Sequence, residues 1–354
     1  MKFGFCVMAD IEEIGFFSHV EALGYHSVWV ADSQQIFSDC YAVLALAARQ
    51  TTRLHIGPGT AIAGTRIPPV HAAAMASLNC IAPGRLFLGI GTGNTAMRAM
   101  GQKPMRIAEY SEYLRVLAAL LRGEIVNYTY RGVTKPVRLL TSGERFMRLM
   151  PKIPLYVSGF GPRAMGLAGE HGDGLIFVIP PRGVPVAEAL GHARQGASRA
   201  GRGLDGFRNC AMVNIGILEP GEPVDSDRMK QALGPNVMAS VYYFYDAWQE
   251  RGIAPPPFLH RIWDRYCALV AETPEAYRHF RTHEFHYAKL HDGEAELIDA
   301  QLLRDTCLIG SPDELIERIQ GLERDGLQEL IFATGNSAKW RLAEDFSRLV
   351  RARL

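Results

Sequence analysis

LFLGIGTGNTAMRAMG, residues 86–101, holds three consecutive apolar residues and then Gly89, Gly91 and Gly93. That order describes a buried parallel strand running into a turn where backbone closely approaches another group. The group can be a ligand, or the turn can simply be tight. A dinucleotide fold also places glycines after a strand, but it needs a helix N-terminus close by and an acidic residue about 20 positions further on. Here the main helical pattern begins at Ala108, and Glu109 and Glu112 lie on that helix. The glycines alone therefore leave the ligand open.

Working outward, short apolar strands alternate with amphipathic stretches on both sides. Upstream are strands at 3–8, 26–31 and 54–59. Downstream come 153–157, 174–179, 209–218 and 327–333, with β-like runs at 125–130 and 137–140 forming a hairpin excursion on one rim. From 220 to 306 only helical stretches occur: 229–232, 237–251, 259–270, 274–281 and 295–303. Eight strands with helices between them, and no point where their order reverses, predict a closed (β/α)₈ TIM barrel. The whole of 1–354 reads as one domain, and 220–306 as a helical insertion between strands 7 and 8.

An apolar fraction of 48% and a charged fraction of 21% exclude a disordered chain. A net charge of +1 argues against nucleic-acid and membrane-surface partners, which are met with an excess of Lys and Arg. Six cysteines stand singly with no C-x-x-C pair, as core thiols do. There is no leader pattern, and no apolar run reaches the about 18 residues of a membrane span. The expectation is a cytoplasmic protein.

Barrel chemistry sits at the C-terminal ends of the strands. That selects residues 8–10, 32–34, 59–61, 91–94, 158–162, 177–180 and 334–336. Ser158 with Gly159 and Gly161, ahead of a helix, combines a hydroxyl with accessible N–H groups and makes an anion site, to which Arg163 adds charge.

Six ordered stretches resemble the bacterial-luciferase-like flavin monooxygenase superfamily, in the branch with coenzyme F420-dependent reductases and dehydrogenases. They are WVADS (29–33), GPGTAIAGTRIPP (57–69), APGRLFLGIGTGN (82–94), PLYVSGFGPRA (154–164), HGDGLI (171–176) and LIGSPDELIERI (308–319). The resemblance implies an oxidoreductase with a flavin-type ring across the barrel mouth. It implies a cis peptide at Gly59-Thr60 beneath the ring, and Thr92, Gly93 and Asn94 at the ring edge or ribityl chain. It places the cofactor phosphate on Ser158, Gly159, Phe160, Gly161, Pro162 and Arg163. Reduced FMN, reacting with O₂ to oxygenate a small organic substrate, is the leading reading, with a separate flavin reductase as partner and a homo-oligomeric assembly. The alternatives are hydride transfer with coenzyme F420 and a flavin-binding relative without turnover.

One departure bears on this choice. Many F420-using relatives carry Asp-His where this chain has Asp32-Ser33, and that His is placed for proton transfer. Ser33 cannot exchange a proton near neutral pH, which moves weight towards oxygen chemistry and leaves Asp32 and Ser33 as the catalytic candidates. Arg131, Lys135, Arg138, Arg145, Arg148 and Lys152 are read as a rim that could meet the acidic tail of F420, or as a solvated loop. The aromatic run Tyr242, Tyr243, Phe244 and Tyr245 is read as core or as the wall of a substrate pocket, with Tyr242, Tyr243 and Tyr245 facing substrate and the insertion acting as a lid. His71 reads as a packed histidine. His279, His283, His286 and His291 read as a solvated face, since their spacing does not match H-E-x-x-H and no metal is expected.

Overall fold

The computed structural model describes every residue except 143–144, 181–182 and 336–337, so Asn336, a strand-end candidate, lies outside the described residues. In chain order the elements are β1 (Lys2–Val7), α1 (Gly15–Ala22), β2 (Ser27–Val30), α2 (Cys40–Gln50), β3 (His55–Pro58), β4 (Ala61–Ile62), α3 (Pro68–Ile81), β5 (Leu88–Gly91), α4 (Asn94–Arg98), α5 (Ile107–Leu121), β6 (Val126–Tyr130) and β7 (Val133–Val137). There follow β8 (Leu155–Ser158), α6 (Pro162–His171), β9 (Gly174–Val178), α7 (Val186–Arg199), β10 (Arg208–Val213), β11 (Ile215–Ile217), α8 (Asp227–Arg251), α9 (His260–Ala271), α10 (Arg278–His283), α11 (Ala300–Thr306), β12 (Leu308–Gly310), α12 (Pro312–Arg324), β13 (Glu329–Ala333) and α13 (Ala338–Asp345).

The main sheet is parallel throughout, in the order β3-β2-β1-β13-β10-β9-β8-β5-β4. β3 and β4 are two halves of one position, interrupted at Gly59-Thr60, whose peptide bond is cis. A parallel bridge from Ile56 to Leu86 joins the two sheet edges. The result is a nearly closed barrel with eight strand positions, the ninth strand being this division of the third. Helices cover it because strands buried on both faces, such as β2 and β5, carry only apolar or small residues. Inside, Trp29 packs on Phe87 with Ile176, Cys210 and Ile331 around them.

Two elements differ from the sequence reading. The stretch 209–218 is not one strand: β10 ends at Val213, and β11 pairs instead with β12 in a separate two-stranded sheet. At the break, the Asn214 carbonyl accepts the Leu308 amide at 2.8 Å, which draws the chain out of the barrel. The insertion's first helix is also continuous, since α8 runs 25 residues through Pro235. Together with α9 and α11 it closes a second core around Val237, Val241, Tyr245, Tyr266 and Leu302. No helix among the described residues is long and apolar enough to cross a membrane.

Burial sets an acid limit on stability. His71 is fully buried and pulled down to about 3 by burial and by nearby Arg66. His26 is pulled down to about 3 by burial and by Lys2, and His286 to about 3 by burial and by His283. Each stays neutral in the fold but takes a proton from about pH 6.5 downward once unfolded. Between about pH 6.5 and 3 the unfolded chain therefore binds more protons, and stability falls as pH falls. Buried Asp32 and Glu329, pushed up by burial, act in the opposite sense as pH falls towards the ordinary carboxylate range. Melting temperatures recorded from pH 7.5 to 5 should drop, and more shallowly in His71→Gln. Equal slopes for the two proteins would show that His71 takes no part in the acid effect.

Candidate active site

The ends of the third, fourth and fifth strand positions converge on Gly91. A Cβ there would lie 3.0 Å from Thr60 Oγ1 and 3.6 Å from Ser158 Cβ, so only glycine keeps this floor open. Gly93 adopts φ +87°, a left-handed conformation that turns the chain from β5 directly into α4. A helix therefore does begin at Asn94, earlier than the sequence pattern suggests. Gly59 lies against Trp29, and its carbonyl accepts the Cys6 thiol at 3.2 Å. Burial pushes that thiol up to about 12, so Cys6 is a neutral donor. Tyr110 anchors the floor from behind, donating its hydroxyl to the Ile90 carbonyl at 2.7 Å.

Beside this floor, α6 starts at Pro162 with Gly161 as its N-cap and no side chain capping it. Its first amides are thus open to an acceptor. Gly159 is packed on this helix start: a Cβ there would lie 2.7 Å from the Met165 nitrogen and 3.0 Å from the Ala164 carbonyl carbon. Gly161, by contrast, has nothing within 4 Å of its own Cβ position. Phe160 is 60% exposed and stacks on Tyr243 with ring centroids 5.7 Å apart. The structure thus brings together Thr60, Gly91 and Ser158 on one floor, continuous with Thr92, Gly93 and Asn94 on one side and Gly159, Phe160, Gly161, Pro162 and Arg163 on the other.

The two catalytic candidates are poorly placed to exchange protons. Asp32 is 4% exposed and accepts from Arg66 Nη1 at 2.6 Å and from the Ile62 amide at 3.4 Å. Arg66 also reaches Asp39 at 3.1 Å and lies over the Tyr41 ring. Asp32 therefore ties the second strand to the third-strand loop. Ser33 is nearly buried, and its carbonyl accepts the Ile36 and Phe37 amides of the following turn.

The aromatic run is divided by helical geometry. Tyr242 and Tyr245, three residues apart, share one face of α8 and point into the insertion's own core. Tyr242 stacks on Tyr266 and donates to Glu294 at 2.8 Å, while Tyr245 meets Tyr266 edge-on. They do not face a substrate pocket. Tyr243, about 100° further round the helix, is the member that reaches the site. The basic rim is likewise divided: Arg145 and Arg148 bond through their backbones near the C-terminal end of α3, and Lys152 pairs with Asp173 ahead of β9. These three lie at the N-terminal end of the barrel, the wrong end for a cofactor tail at the mouth.

Sequence reasoning missed how the insertion grips the mouth. Asn236 Nδ2 donates to the Ala333 carbonyl at the end of β13 at 2.8 Å and to Asn214 Oδ1 at 3.2 Å. Arg98, on the helix that follows the glycine turn, binds Asp246 at 3.3 Å and Glu250 at 2.7 Å and also donates to Asn94 Oδ1. His283 pairs with the same Asp246 at 3.3 Å, and His286 Nε2 lies 3.2 Å from Thr95 Oγ1. His283 is 2% exposed, so this pair is packed and not a solvated face. The single sequence cue was His283 and His286 at i, i+3, a spacing that equally suits a packed pair. A cavity of about 520 Å³ opens beside the Asn236–Ala333 contact, among Ile215, Met229, Leu233, Leu290, Thr334 and Leu342.

The model of the family described as luciferase-like monooxygenase matches residues 8–329. This chain belongs to that family. It is 36% identical over 298 residues to an F420-dependent glucose-6-phosphate dehydrogenase of Beutenbergia cavernae, covering 72% of this chain and 85% of that one. It is 26% identical over 339 residues to a 5,10-methylenetetrahydromethanopterin reductase of Archaeoglobus fulgidus, covering 94% and 92%. Among solved structures it resembles the FMN-bound oxygenating constituent of 3,6-diketocamphane monooxygenase from Pseudomonas putida, with a TM-score of 0.60, 16% identity, and 100% and 99% coverage. The luciferase-like chain described here is accordingly an oxidoreductase of a family that works with flavin or F420.

Proposed function

We propose that this luciferase-like oxidoreductase transfers hydride between coenzyme F420 and a small organic substrate at a hydroxyl or carbonyl carbon. The observation that carries this reading is the 36% identity over 298 residues to an F420-dependent dehydrogenase, a closer likeness than the FMN-bound fold neighbour offers. Ser33 had favoured FMN and O₂. A missing histidine, however, bears on where a proton goes and not on which ring is bound.

The residues present fit a flat ring with a phosphate-bearing chain. Gly91 leaves the floor clear between Thr60 and Ser158. Thr60, Thr92 and Asn94 offer hydroxyl and amide groups to polar ring edges. Ser158, the backbone N–H groups of Phe160, Gly161 and Arg163 and the Arg163 guanidinium would hold the phosphate at the α6 start, where the helix dipole favours negative charge. When bound, the deazaflavin ring supplies a carbon that accepts or donates hydride. The chain's own part is to orient substrate against that ring and to keep water away under the insertion, with Tyr243 over Phe160 closing one side. Reduced FMN with O₂ is the second reading, supported by the FMN-bound neighbour's fold.

Fluorescence titration of the purified protein with F420, oxidised FMN and reduced FMN separates the two. F420 is expected to bind at least about tenfold more tightly than either form of FMN, roughly 1.4 kcal/mol. Tighter binding of reduced FMN, with substrate-dependent O₂ uptake, would replace hydride transfer by oxygenation.

A further inference from the structure

A second cavity, of about 370 Å³, lies at the N-terminal ends of the strands, the end of the barrel away from the cofactor floor. Layers of side chains fill a barrel interior. Here the last layer is aromatic: Trp29 packs on Phe87, and Tyr156 meets both edge-on. Gly174 makes room for it, since a Cβ there would collide with the Tyr156 ring. Outside that layer the cavity is rimmed by charge. Lys2 opens β1 and Arg208 opens β10, on either side of β13, which opens with Glu329.

Glu329 is 7% exposed, and its carboxylate accepts the Ser27 hydroxyl, which itself accepts Trp29 Nε1 at 2.9 Å. Lys2 Nζ donates to His26 Nε2 at 3.1 Å, not to that carboxylate. The exposed Arg208 guanidinium and the Tyr156 hydroxyl have no hydrogen-bond or ion-pair partner among the described residues. On the rim, Asp173 is taken up by Lys152 at 2.6 Å, and Asp205 is exposed. Positive groups therefore crowd this end. Burial and Arg208 pull Lys2 down, and burial, Lys2, His55 and Arg208 together pull His26 down to about 3. Both imidazoles, with ring centroids 4.5 Å apart, are neutral near pH 7.

We propose that this cavity is a second anion site, taking a phosphate group, free or as the head of a small hydroxylated ester, between Lys2 and Arg208. Their strands stand two spacings apart, about 9.6 Å, with long side chains to close the gap. A tetrahedral dianion has oxygens for both. The Arg208 fork matches two of them, Lys2 meets another as a compact charge, and the repulsion between the cations is relieved. With Nε2 accepting from Lys2, His26 carries its proton on Nδ1 and adds a neutral donor beside them. The body of an ester then lies along the Tyr156 hydroxyl, which supplies the bond that a hydroxyl on the ligand needs. This site is separate from the cofactor phosphate loop: Ser158 closes β8, whereas Lys2, Arg208 and Glu329 each open a strand.

The test is calorimetric titration of the full chain with inorganic phosphate and with glycerol 1-phosphate, at an ionic strength held constant with sodium chloride. Arg208→Gln should weaken phosphate binding by about tenfold or more, and Lys2→Gln by about threefold or more. Both side chains are exposed, so the two variants should melt as wild type does without phosphate. Phosphate should raise the melting temperature of the wild type and not that of Arg208→Gln. Gly159→Val, altered at the α6 start, should keep this phosphate affinity within about twofold, and Arg208→Gln should keep its F420 affinity within about twofold. Glycerol 1-phosphate bound more tightly than phosphate identifies an ester as the occupant, and equal affinities identify free phosphate. Phosphate binding lost in Gly159→Val but retained in Arg208→Gln would assign the anion to the α6 start and overturn the proposal. A wild type that binds neither probe below about 10 mM overturns it too, and leaves the cluster as a charged plug of the barrel end.

Discussion

Gly159→Val weakens cofactor binding by about tenfold or more, roughly 1.4 kcal/mol, while Gly161→Ala changes it by less than about threefold. The difference follows from the backbone at the α6 start. A side chain at 159 would lie 2.7 Å from the Met165 nitrogen, so the loop must lift away from the helix whose amides it presents. At 161 the same position is open space, and the added methyl meets nothing. Each variant's affinity is read by fluorescence titration with F420, beside a melting curve confirming that the barrel is intact. Equal affinities in Gly159→Val and wild type would remove residues 158–163 from the cofactor site, whichever cofactor is used.

The second large effect is on stability and comes from Arg98. Its guanidinium is 9% exposed, and Asp246 and Glu250 are 12% and 24% exposed. Arg98→Met keeps the apolar stem but leaves both carboxylates, and His283 beside them, without the cation. Removing one partner of a buried ion pair commonly costs about 3–5 kcal/mol, because the remaining charge is stranded. A loss near about 3 kcal/mol is expected here, since Glu250 retains some solvent. Urea unfolding followed by tryptophan fluorescence should show it, and the double variant Arg98→Met with Asp246→Asn should recover part of it. A cost below about 1 kcal/mol for Arg98→Met would mean that the insertion is held down elsewhere, with Asn236 on the Ala333 carbonyl as the remaining anchor.

Several features could be read from the residues themselves because their causes are local. The period-2 and period-3.6 patterns locate seven of the barrel's strand positions closely, and Gly89, Gly91 and Gly93 mark the place where backbone must come near another group. Ser158 to Gly161 ahead of Pro162 announces a helix start, and α6 does begin at Pro162 with no side chain capping it. The cis bond at Gly59-Thr60 was implied only by likeness to a family, since nothing in the two residues' own chemistry demands it. The ends of strands are also legible as a set, because a parallel barrel puts them all on one face.

What the tertiary structure decided are the pairings between segments far apart in sequence. Asp32 looks like a free carboxylate until Arg66, 34 residues on, is seen to hold it. Tyr242 and Tyr245 look like pocket residues until α9 supplies Tyr266 as their packing partner. Stretch 209–218 has an unbroken strand pattern, and only the competing partner β12, about 90 residues later, splits it at Asn214. His286 meets Thr95 across 191 residues, and no periodicity encodes such a meeting. Local patterning specifies which residues are buried and in what element. Which buried polar groups find each other is settled by closing the chain into a ring, and this protein's candidate chemistry depends on those encounters.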